Sequence, residues 1–317
     1  MTQTATSELE QIAEHAPIRV RMAAEMRRVQ DEICEAVAAL DTIPFDEDGW
    51  TRDGSGSRGR SRILQDGVTF EKAAVNTSSV DRTVSSDIIP IASGRQRIEQ
   101  VERQMQMFAT GLSLIIHPHN PMAPTVHANF RYFELDDGGW WFGCGIDLTP
   151  SYLFEEDAVY FHGQLKAVCD RYDPTFYPRF KQRADDYFLI RHRGERRGIG
   201  GISCAYLSDR PVEEAFAFIT ECADTFLPAY LPLLERRKDM PFTAEHKNWQ
   251  AVRRGRYVEF NLVYDQGTIF GLKADTRPES ILTSLPLTAR WEYDDQPAAG
   301  SHEARTLDVL QHPRAWV

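Results

Sequence analysis

The sequence lacks the features that define several large classes of protein. No run approaches about 18 consecutive apolar residues, so hydropathy excludes a membrane-spanning helix. The opening segment MTQTATSELEQIAEH has no basic stretch followed by an apolar one, and without a secretory signal we expect a cytoplasmic protein. The formal net charge of -11 disfavours nucleic acid as a partner, because binding a phosphate backbone needs cations over a broad surface. Five widely spaced cysteines show no zinc or redox pairing, and we expect reduced thiols.

The motifs of common cofactors and nucleophiles are also missing. No GxSxG elbow occurs, and the glycine clusters at 143–145 and 198–201 do not form a dinucleotide-binding fingerprint, so no nicotinamide or flavin site is expected. The histidines do not follow the HExxH pattern or a Cys/His cluster, and we therefore predict no bound metal. If a metal does bind, the candidate ligands are His117, His127, His162 and His192.

The stretch LIIHPHNPMAPTVHANFR is the densest collection of polar groups beside strand-like runs. Apolar and polar residues alternate at its end, so the two-residue period of a strand places His127, Asn129 and Arg131 on one face. Such a face can bind an anion. Two prolines interrupt the run before this strand, and we expect His117 and His119 at the end of a strand or the start of a loop.

Periodicity predicts helices and strands in an irregular order. The predicted helices cover Val20 to Leu40, Gly94 to Ala109, Glu155 to Arg171 and Val212 to Arg237. The predicted strands cover Leu112 to Ile116, Val126 to Glu134 and Trp140 to Leu148, with a turn at Asp66 and Gly67 and a later hairpin formed by Tyr257 to Tyr264 and Thr268 to Leu272. Short turns between consecutive strands favour an antiparallel sheet with helices packed on it, which is an α+β fold.

Several features have both a structural and a functional interpretation. His162 lies on a mainly apolar helix face, so it is either a core histidine with satisfied hydrogen bonds or part of a site. Cys144 and Cys204 lie inside strand-like runs and are interpreted as small core residues rather than nucleophiles. The glycine- and serine-rich residues 53–60 form either a flap over an anionic ligand or a plain surface loop.

Long strings of this sequence look like the oxygen-dependent coproporphyrinogen III oxidase family. They are LSLIIHPHNPMAPTVHANFRYFE, WWFGCGIDLTP, FEEDAVYFH, DDYFLIRHRGERRGIGG, RRGRYVEFNLVYDQGTIFGLK and ESILTSLPLTARWEY. The match runs collinearly from about Val20 to the final HPRAWV. The resemblance implies a single domain over residues 1–317, with a large, flat antiparallel sheet flanked on both faces by helices. It also implies a homodimer with contacts through Tyr257 to Leu272.

The resemblance implies an activity in porphyrin and heme biosynthesis. Members of the family convert propionate side chains of a tetrapyrrole into vinyl groups, consume dioxygen and release carbon dioxide and hydrogen peroxide, without an obligatory cofactor. Loss of a pyrrole N–H proton from the reduced substrate gives an anion that can itself reduce dioxygen. The protein then positions the substrate, excludes water and moves protons, which accounts for the missing cofactor motifs.

Individual roles follow from the resemblance by position. It implies His127 as a proton donor, with Arg131 and His192 as further catalytic residues. It implies that the substrate contacts are Ser113, Asn129, Arg131 and Arg277. We also expect Arg191, Arg196 or Arg197 to help hold the carboxylates, where they do not instead pair with Glu195 or Asp185. A guanidinium group suits these roles because it can hold a propionate through two parallel hydrogen bonds.

The chain departs from the family pattern at several of these segments. Where family members read GIGGIFFDDL, this chain reads GIGGISCAYL, so Ala205 and Tyr206 replace an acidic pair. Cys144 stands where the family has glycine. Two alternatives therefore accompany the main interpretation: a paralogue that performs oxygen-dependent decarboxylation or desaturation of another electron-rich aromatic carboxylate, and a porphyrin-binding protein without turnover.

Overall fold

A seven-stranded sheet in the order β1-β2-β3-β4-β5-β6-β9 forms the centre of the fold. The computed structural model describes residues 16–52, 54, 56–85, 104–273 and 277–317. The strands of the sheet are β1 Asp46–Thr51, β2 Arg58–Gln65, β3 Phe70–Ser85, β4 Gln104–Pro118, β5 Thr125–Leu135, β6 Trp140–Thr149 and β9 Gly201–Leu207. Every neighbouring pair is antiparallel. A separate short pair consists of β7 Leu189–Ile190 and β8 Glu195–Arg196.

The helices lie between and after these strands. They are α1 Ile18–Ala38, α2 Glu155–Tyr172, α3 Phe176–Tyr187, α4 Val212–Arg237, α5 Ala244–Val263, α6 Gln266–Lys273, α7 Pro278–Ile281, followed by the 3-10 turn Leu282–Ser284, and α8 His302–Gln311. The predicted α+β class is confirmed, and so are the first helix and the helices beginning at Glu155 and Val212. None of the helices in the described ranges is long and apolar enough to cross a membrane.

One face of the sheet carries the hydrophobic core. Val126, Ala128 and Phe130 of β5 are fully buried there, and the alternate residues of β4 and β6 join them. Helices α1, α2, α3 and α4 contribute the other side of this core. The apolar alternation in the sequence therefore predicts the core face correctly.

The opposite face is only partly covered. Tyr257 of α5 packs there on Ala74 and Ile115 of the sheet. The turn after α7 also covers part of this face, since the Asn76 amide donates to the Ser280 carbonyl oxygen at 3.2 Å and to the Thr283 hydroxyl at 2.8 Å. The strip of β4 and β5 beyond these contacts stays partly exposed.

Two predicted elements are wrong. Residues 104–109 begin strand β4 rather than end a helix, because Met105 and Met107 are buried and alternate with exposed glutamines; residues 94–103 of that predicted helix lie outside the described residues. The predicted hairpin at Tyr257 is helix α5 followed by α6. The buried residues Phe260 and Asn261 lie three and four positions after buried Tyr257, which is a helical spacing.

The turn chemistry is partly as predicted. The turn at Asp66 and Gly67 joins β2 to β3, with Asp66 at a φ of 59°. The predicted loop at 53–60 is too long, since β2 begins at Arg58 and pairs with β1 and β3. The glycine- and serine-rich composition of this segment indicates a loop. Residues from Arg58 onward form a strand because backbone hydrogen bonds to β1 and β3 are available to them.

Candidate active site

The partly exposed sheet face presents polar side chains in register across neighbouring strands. The polar alternation of β5 places His127, Asn129 and Arg131 there, as predicted. The row through Asn129 crosses five strands and contains Asn76, Ser113, Asn129, Gly145 and Ser203 as successive Cα partners. The turn after α7 covers the Asn76 end of the row. At about 4.8 Å between strands, the part from Ser113 to Ser203 is roughly 14 Å wide. It is a surface wide enough for a large ring-shaped ligand.

Glycines in β6 let two of these side chains lie across the sheet. A Cβ added at Gly143 would stand 2.9 Å from the Arg131 Nε atom, and one at Gly145 would stand 2.9 Å from the Asn129 Nδ2 atom. Any larger residue would push these side chains away, because real Cβ atoms essentially never approach closer than 3.0 Å. The two glycines therefore set the direction of the guanidinium and amide groups.

Arg131 and Asn129 have polar atoms without partners. The Arg131 Nε and Asn129 Oδ1 atoms are buried and make no hydrogen bond within the part of the chain that the structure describes. Across the same residues, Arg131 forms no ion pair, although arginines such as Arg197 and Arg253 do. An unpaired guanidinium that is only partly exposed loses solvation without compensation. The arrangement is prepared for a ligand that brings an anionic group to Arg131 and a hydrogen-bond donor to Asn129 Oδ1.

A buried ion pair holds the imidazole of His127. The Asp147 Oδ1 atom lies 2.7 Å from His127 Nδ1, and the Asp147 Oδ2 atom accepts a hydrogen bond from Arg197 Nη2 at 2.7 Å. Burial would raise the pKa of Asp147, but the charges of Arg197 and His127 and their hydrogen bonds lower it. A carboxylate can only accept, so the Nδ1 atom carries a proton and Nε2 is the nitrogen left for a ligand.

Arg197 supports this pair from inside the protein. Its guanidinium is buried, donates to Asn261 Oδ1 at 2.8 Å and lies over the rings of Phe188 and Tyr257 at 4.3 and 4.5 Å. Burial lowers the pKa of the guanidinium, but the Asp147 carboxylate outweighs this and raises it above the usual range. The predicted substrate contact is thus placed one layer behind His127.

Two other predicted site residues lie apart from the His127 group. The His192 ring is hydrogen-bonded through Nδ1 to the Tyr264 hydroxyl and through Nε2 to Glu259, both at 2.6 Å. Arg277 is partly exposed before α7 and pairs with Asp48 at 2.8 Å. Asp48 is the Cα partner of Ser61, and Ser61 is the partner of Asn76. Arg277 therefore lies at the β1 end of the row and away from His127. No contact joins His192 to the row within the described residues.

The remaining histidine candidates are buried and satisfied. His117, at the end of β4 as predicted, lies 3.1 Å from the Ser284 carbonyl oxygen and 3.3 Å from the Thr125 hydroxyl. His162 lies on the core side of the sheet, 3.0 Å from the Tyr177 hydroxyl and 3.2 Å from the Ile199 carbonyl oxygen. Desolvation lowers the pKa of His162 to about 3, so its ring is neutral. No group of three metal-ligating side chains is assembled among the residues that the structure describes.

An aromatic stack and a bulge border Arg131. Cys144 pairs with Cys204 but Phe142 pairs with Leu207, so β9 has one extra residue opposite Gly143. The rings of Phe133 and Trp141 are stacked at 4.8 Å, and those of Trp141 and Tyr206 at 5.5 Å. Cys144 and Cys204 are buried in the main core, as interpreted from the sequence.

Sequence reasoning missed Asp147 and Trp141. Asp147 lies in the apolar string GIDLTP, two and four positions beyond Gly145 and Gly143, so the strand period places it on the polar face. A charged residue inside such a strand is the signal that could have identified it. No local signal connects it to Arg197, since 50 residues separate the two.

Comparisons with known proteins identify the family of the chain. The sequence model described as coproporphyrinogen III oxidase matches residues 21–316. The chain is 52% identical over 309 residues to the oxygen-dependent coproporphyrinogen-III oxidase, chloroplastic, of Glycine max, covering 95% of this chain and 80% of the relative. It is 48% identical over 307 residues to the mitochondrial enzyme of Homo sapiens, covering 95% and 67%, and 45% identical over 307 residues to the enzyme of Drosophila melanogaster, covering 95% and 78%. The chain therefore belongs to the coproporphyrinogen III oxidase family.

Proposed function

We propose that this protein is an oxygen-dependent oxidoreductase that converts propionate side chains of coproporphyrinogen III into vinyl groups. Relatives that cover most of the chain carry the name of that activity. The observation that carries the proposal is the unpaired guanidinium of Arg131, which shares a sheet face with the carboxylate-supported imidazole of His127. A carboxylate of the substrate supplies the missing partner, and the imidazole is available to move a proton.

Binding uses the polar row and its neighbours. Arg131 holds a propionate carboxylate, and Asn129 with its buried acceptor oxygen receives an N–H of the substrate. Ser113, exposed and directly opposite Asn129, extends the same row. The width of the row suits a macrocycle better than a single small ring.

The redox step needs only the substrate and dioxygen. Removal of a pyrrole N–H proton raises the energy of the ring electrons until they can reduce dioxygen. The bond to the carboxylate then breaks and releases carbon dioxide, and its electron pair becomes the vinyl double bond. A hydrogen of the side chain leaves with two electrons, and with dioxygen and one further proton it yields hydrogen peroxide. We assign both proton transfers to His127: Nε2, the acceptor nitrogen of the Nδ1–H tautomer, takes the pyrrole N–H proton and then donates it to the peroxide. A proton from solvent restores the pyrrole N–H of the product.

No resident cofactor is part of this proposal, because both electrons that reduce dioxygen come from the substrate. Asp147 and Arg197 act as positioning residues that keep the His127 ring in one tautomer. We also propose a homodimer, and residence in the cytoplasm stays a prediction that fractionation of source cells tests.

Turnover of coproporphyrinogen III tests the proposal. The purified protein is incubated aerobically with the freshly reduced substrate, and products are identified by mass, with an anaerobic incubation as control. We expect a product that has lost carbon dioxide only in the presence of oxygen. Binding without any decarboxylation would favour the non-catalytic alternative, and activity confined to other aromatic carboxylates would favour the paralogue.

A further inference from the structure

Tyr206 occupies an unusual position beside the unpaired Arg131. The extra residue of β9 turns both Ala205 and Tyr206 away from the core, and both side chains are partly exposed while their neighbours Cys204 and Leu207 are buried. Bulges commonly re-aim side chains in this way next to sites. The bulge therefore directs Tyr206 to the face that carries Arg131.

The Arg131 side chain and the bulge border the same point of the sheet. A Cβ at Gly143 would lie 2.9 Å from Arg131 Nε, 3.1 Å from the Cys204 carbonyl oxygen and 3.2 Å from the Ala205 carbonyl oxygen. The backbone of residue 205 and the Arg131 Nε atom therefore border the same glycine, and we expect a carboxylate introduced at position 205 or 206 to reach the guanidinium. In this chain alanine and tyrosine stand there, and neither side chain offers a carboxylate to Arg131.

Aromatic rings form the next row of the same face. Phe133 is two residues from Arg131 along β5, about 7 Å away. Its ring stacks on Trp141, and Trp141 stacks on Tyr206, with interplanar angles of 11° and 19°. The outer rings Phe133 and Tyr206 are partly exposed, whereas Trp141 is buried. The Trp141 Nε1 atom, like Arg131 Nε, is a buried donor without an acceptor in the described residues.

We propose that Arg131, Tyr206 and the aromatic stack form a subsite for a carboxylate carried on an aromatic ring, with Tyr206 as a specificity-determining residue. The guanidinium binds the carboxylate, and the tyrosine ring packs on the ring that bears it. The inference rests on the proposed function, in which that ring is one pyrrole of the substrate. It extends that function by assigning recognition at the bulge to stacking and to an uncompensated positive charge rather than to a protein carboxylate.

Three substitutions of Tyr206 separate the effect of its ring on binding from the effect of the Arg131 charge. Tyr206→Phe keeps the ring, Tyr206→Asn removes it, and Tyr206→Asp removes it and adds a charge that pairs with Arg131. Binding is measured by fluorescence titration with two probes, coproporphyrin III, which is the oxidised tetracarboxylate, and 3-phenylpropionate. We expect Tyr206→Phe to bind within about threefold of wild type, Tyr206→Asn more weakly, and Tyr206→Asp on the order of tenfold more weakly than Tyr206→Asn.

Several results would overturn the inference. Equal affinities of the Asp and Asn variants would remove the role of the Arg131 charge, and equal losses in the Phe and Asn variants would remove the role of the ring. A wild-type protein that binds neither probe would remove the subsite. If Tyr206→Asp does not fold, Ala205→Asp and Ala205→Asn make the same comparison of charge.

The binding assay does not depend on turnover. If the wild type binds in the expected order but forms no vinyl product, the proposed function fails and the subsite stands. If the wild type decarboxylates coproporphyrinogen III but the Asp and Asn variants bind alike, the subsite fails and the proposed function stands.

Discussion

The imidazole of His127 depends on residues that never reach the exposed face. Asp147 fixes its Nδ1 atom, and Arg197 keeps Asp147 ionised behind it. A histidine on a strand has freedom at its ring torsion, and a carboxylate partner removes that freedom and selects the tautomer. Proton transfer at His127 is therefore a property of three residues.

Replacing Asp147 tests this arrangement. We expect Asp147→Asn to lower kcat by about 10- to 100-fold with little change in KM, because the imidazole loses its orientation while Arg131 stays in place. The variant also loses roughly 3–5 kcal/mol of stability, since Arg197 is left uncompensated. Glu195→Gln, which breaks the buried pair of Glu195 with Arg253, is the matched control for stability and should leave kcat unchanged. Equal losses of kcat in both variants would contradict a positioning role for Asp147.

The anion contact is tested at Arg131. Charged hydrogen bonds contribute about 1.5–3 kcal/mol, so Arg131→Ala should lower kcat/KM on the order of 10- to 100-fold, mainly through KM. Arg277→Ala should change it by less than about threefold, because that side chain is at the surface and paired with Asp48. Steady-state kinetics of the two variants decide the point, and a larger loss at Arg277 would reverse the assignment.

The buried His162 gives stability a defined pH dependence. Desolvation lowers its pKa from 6.5 to about 3, so the folded protein holds a neutral ring where the unfolded chain binds a proton. The stability contributed by the neutral ring is complete above pH 6.5 and falls by about 1.4 kcal/mol per pH unit as the pH decreases toward 3. His162→Gln keeps a donor and an acceptor but does not titrate. Urea unfolding at pH 7, 6 and 5 should show the wild type losing stability faster than the variant, and parallel losses would contradict this assignment.

At the scale of elements, glycines in β6 give the site its shape. Gly143→Ala places a Cβ against the Arg131 Nε atom and the Cys204 carbonyl oxygen. We expect KM to rise about tenfold or more, and stability to fall by roughly 1–3 kcal/mol. Gly163→Ala is the control, because Gly163 lies inside α2 with no atom within 4 Å of the added Cβ. It should leave KM unchanged and stabilise the protein by about 0.5–1 kcal/mol. An unchanged KM in Gly143→Ala would mean that Arg131 does not need its observed direction.

The sequence predicted the elements whose periodicity was clear. Alternation identified β5 and placed Asn129 and Arg131 together, because a two-residue period leaves only one face for them. It failed at α5, where aromatic residues with high strand propensity follow a helical spacing, and packing against the sheet decides the outcome. The bulge in β9 and the ion pair of Arg197 depend on partners in distant segments, which local patterns do not contain.

At the scale of the molecule, the dimer is tested at the end of α5. Tyr257 and Phe260 are buried, and among the described side chains of the predicted contact segment the large exposed apolar ones are Leu262, Val263 and Leu272. We expect the wild type to sediment as a dimer and a Leu262→Glu, Val263→Glu variant to sediment as a monomer. Burying two unpaired carboxylates in the contact would cost a large desolvation free energy. Val159→Glu, at an exposed site on α2, is the control and should stay dimeric. A dimeric double variant would place the contact elsewhere.

The stoichiometry of the reaction tests the central claim most directly. Protein freed of metal by a chelator and of small molecules by gel filtration is mixed with coproporphyrinogen III in oxygenated buffer, and vinyl product, carbon dioxide and hydrogen peroxide are measured together. The account predicts one carbon dioxide and one hydrogen peroxide for each vinyl group formed, at an undiminished rate. At the same protein concentration, His127→Ala should show only a small residual turnover. Activity that is lost with the metal or with a released cofactor, or vinyl product formed without peroxide, would contradict it.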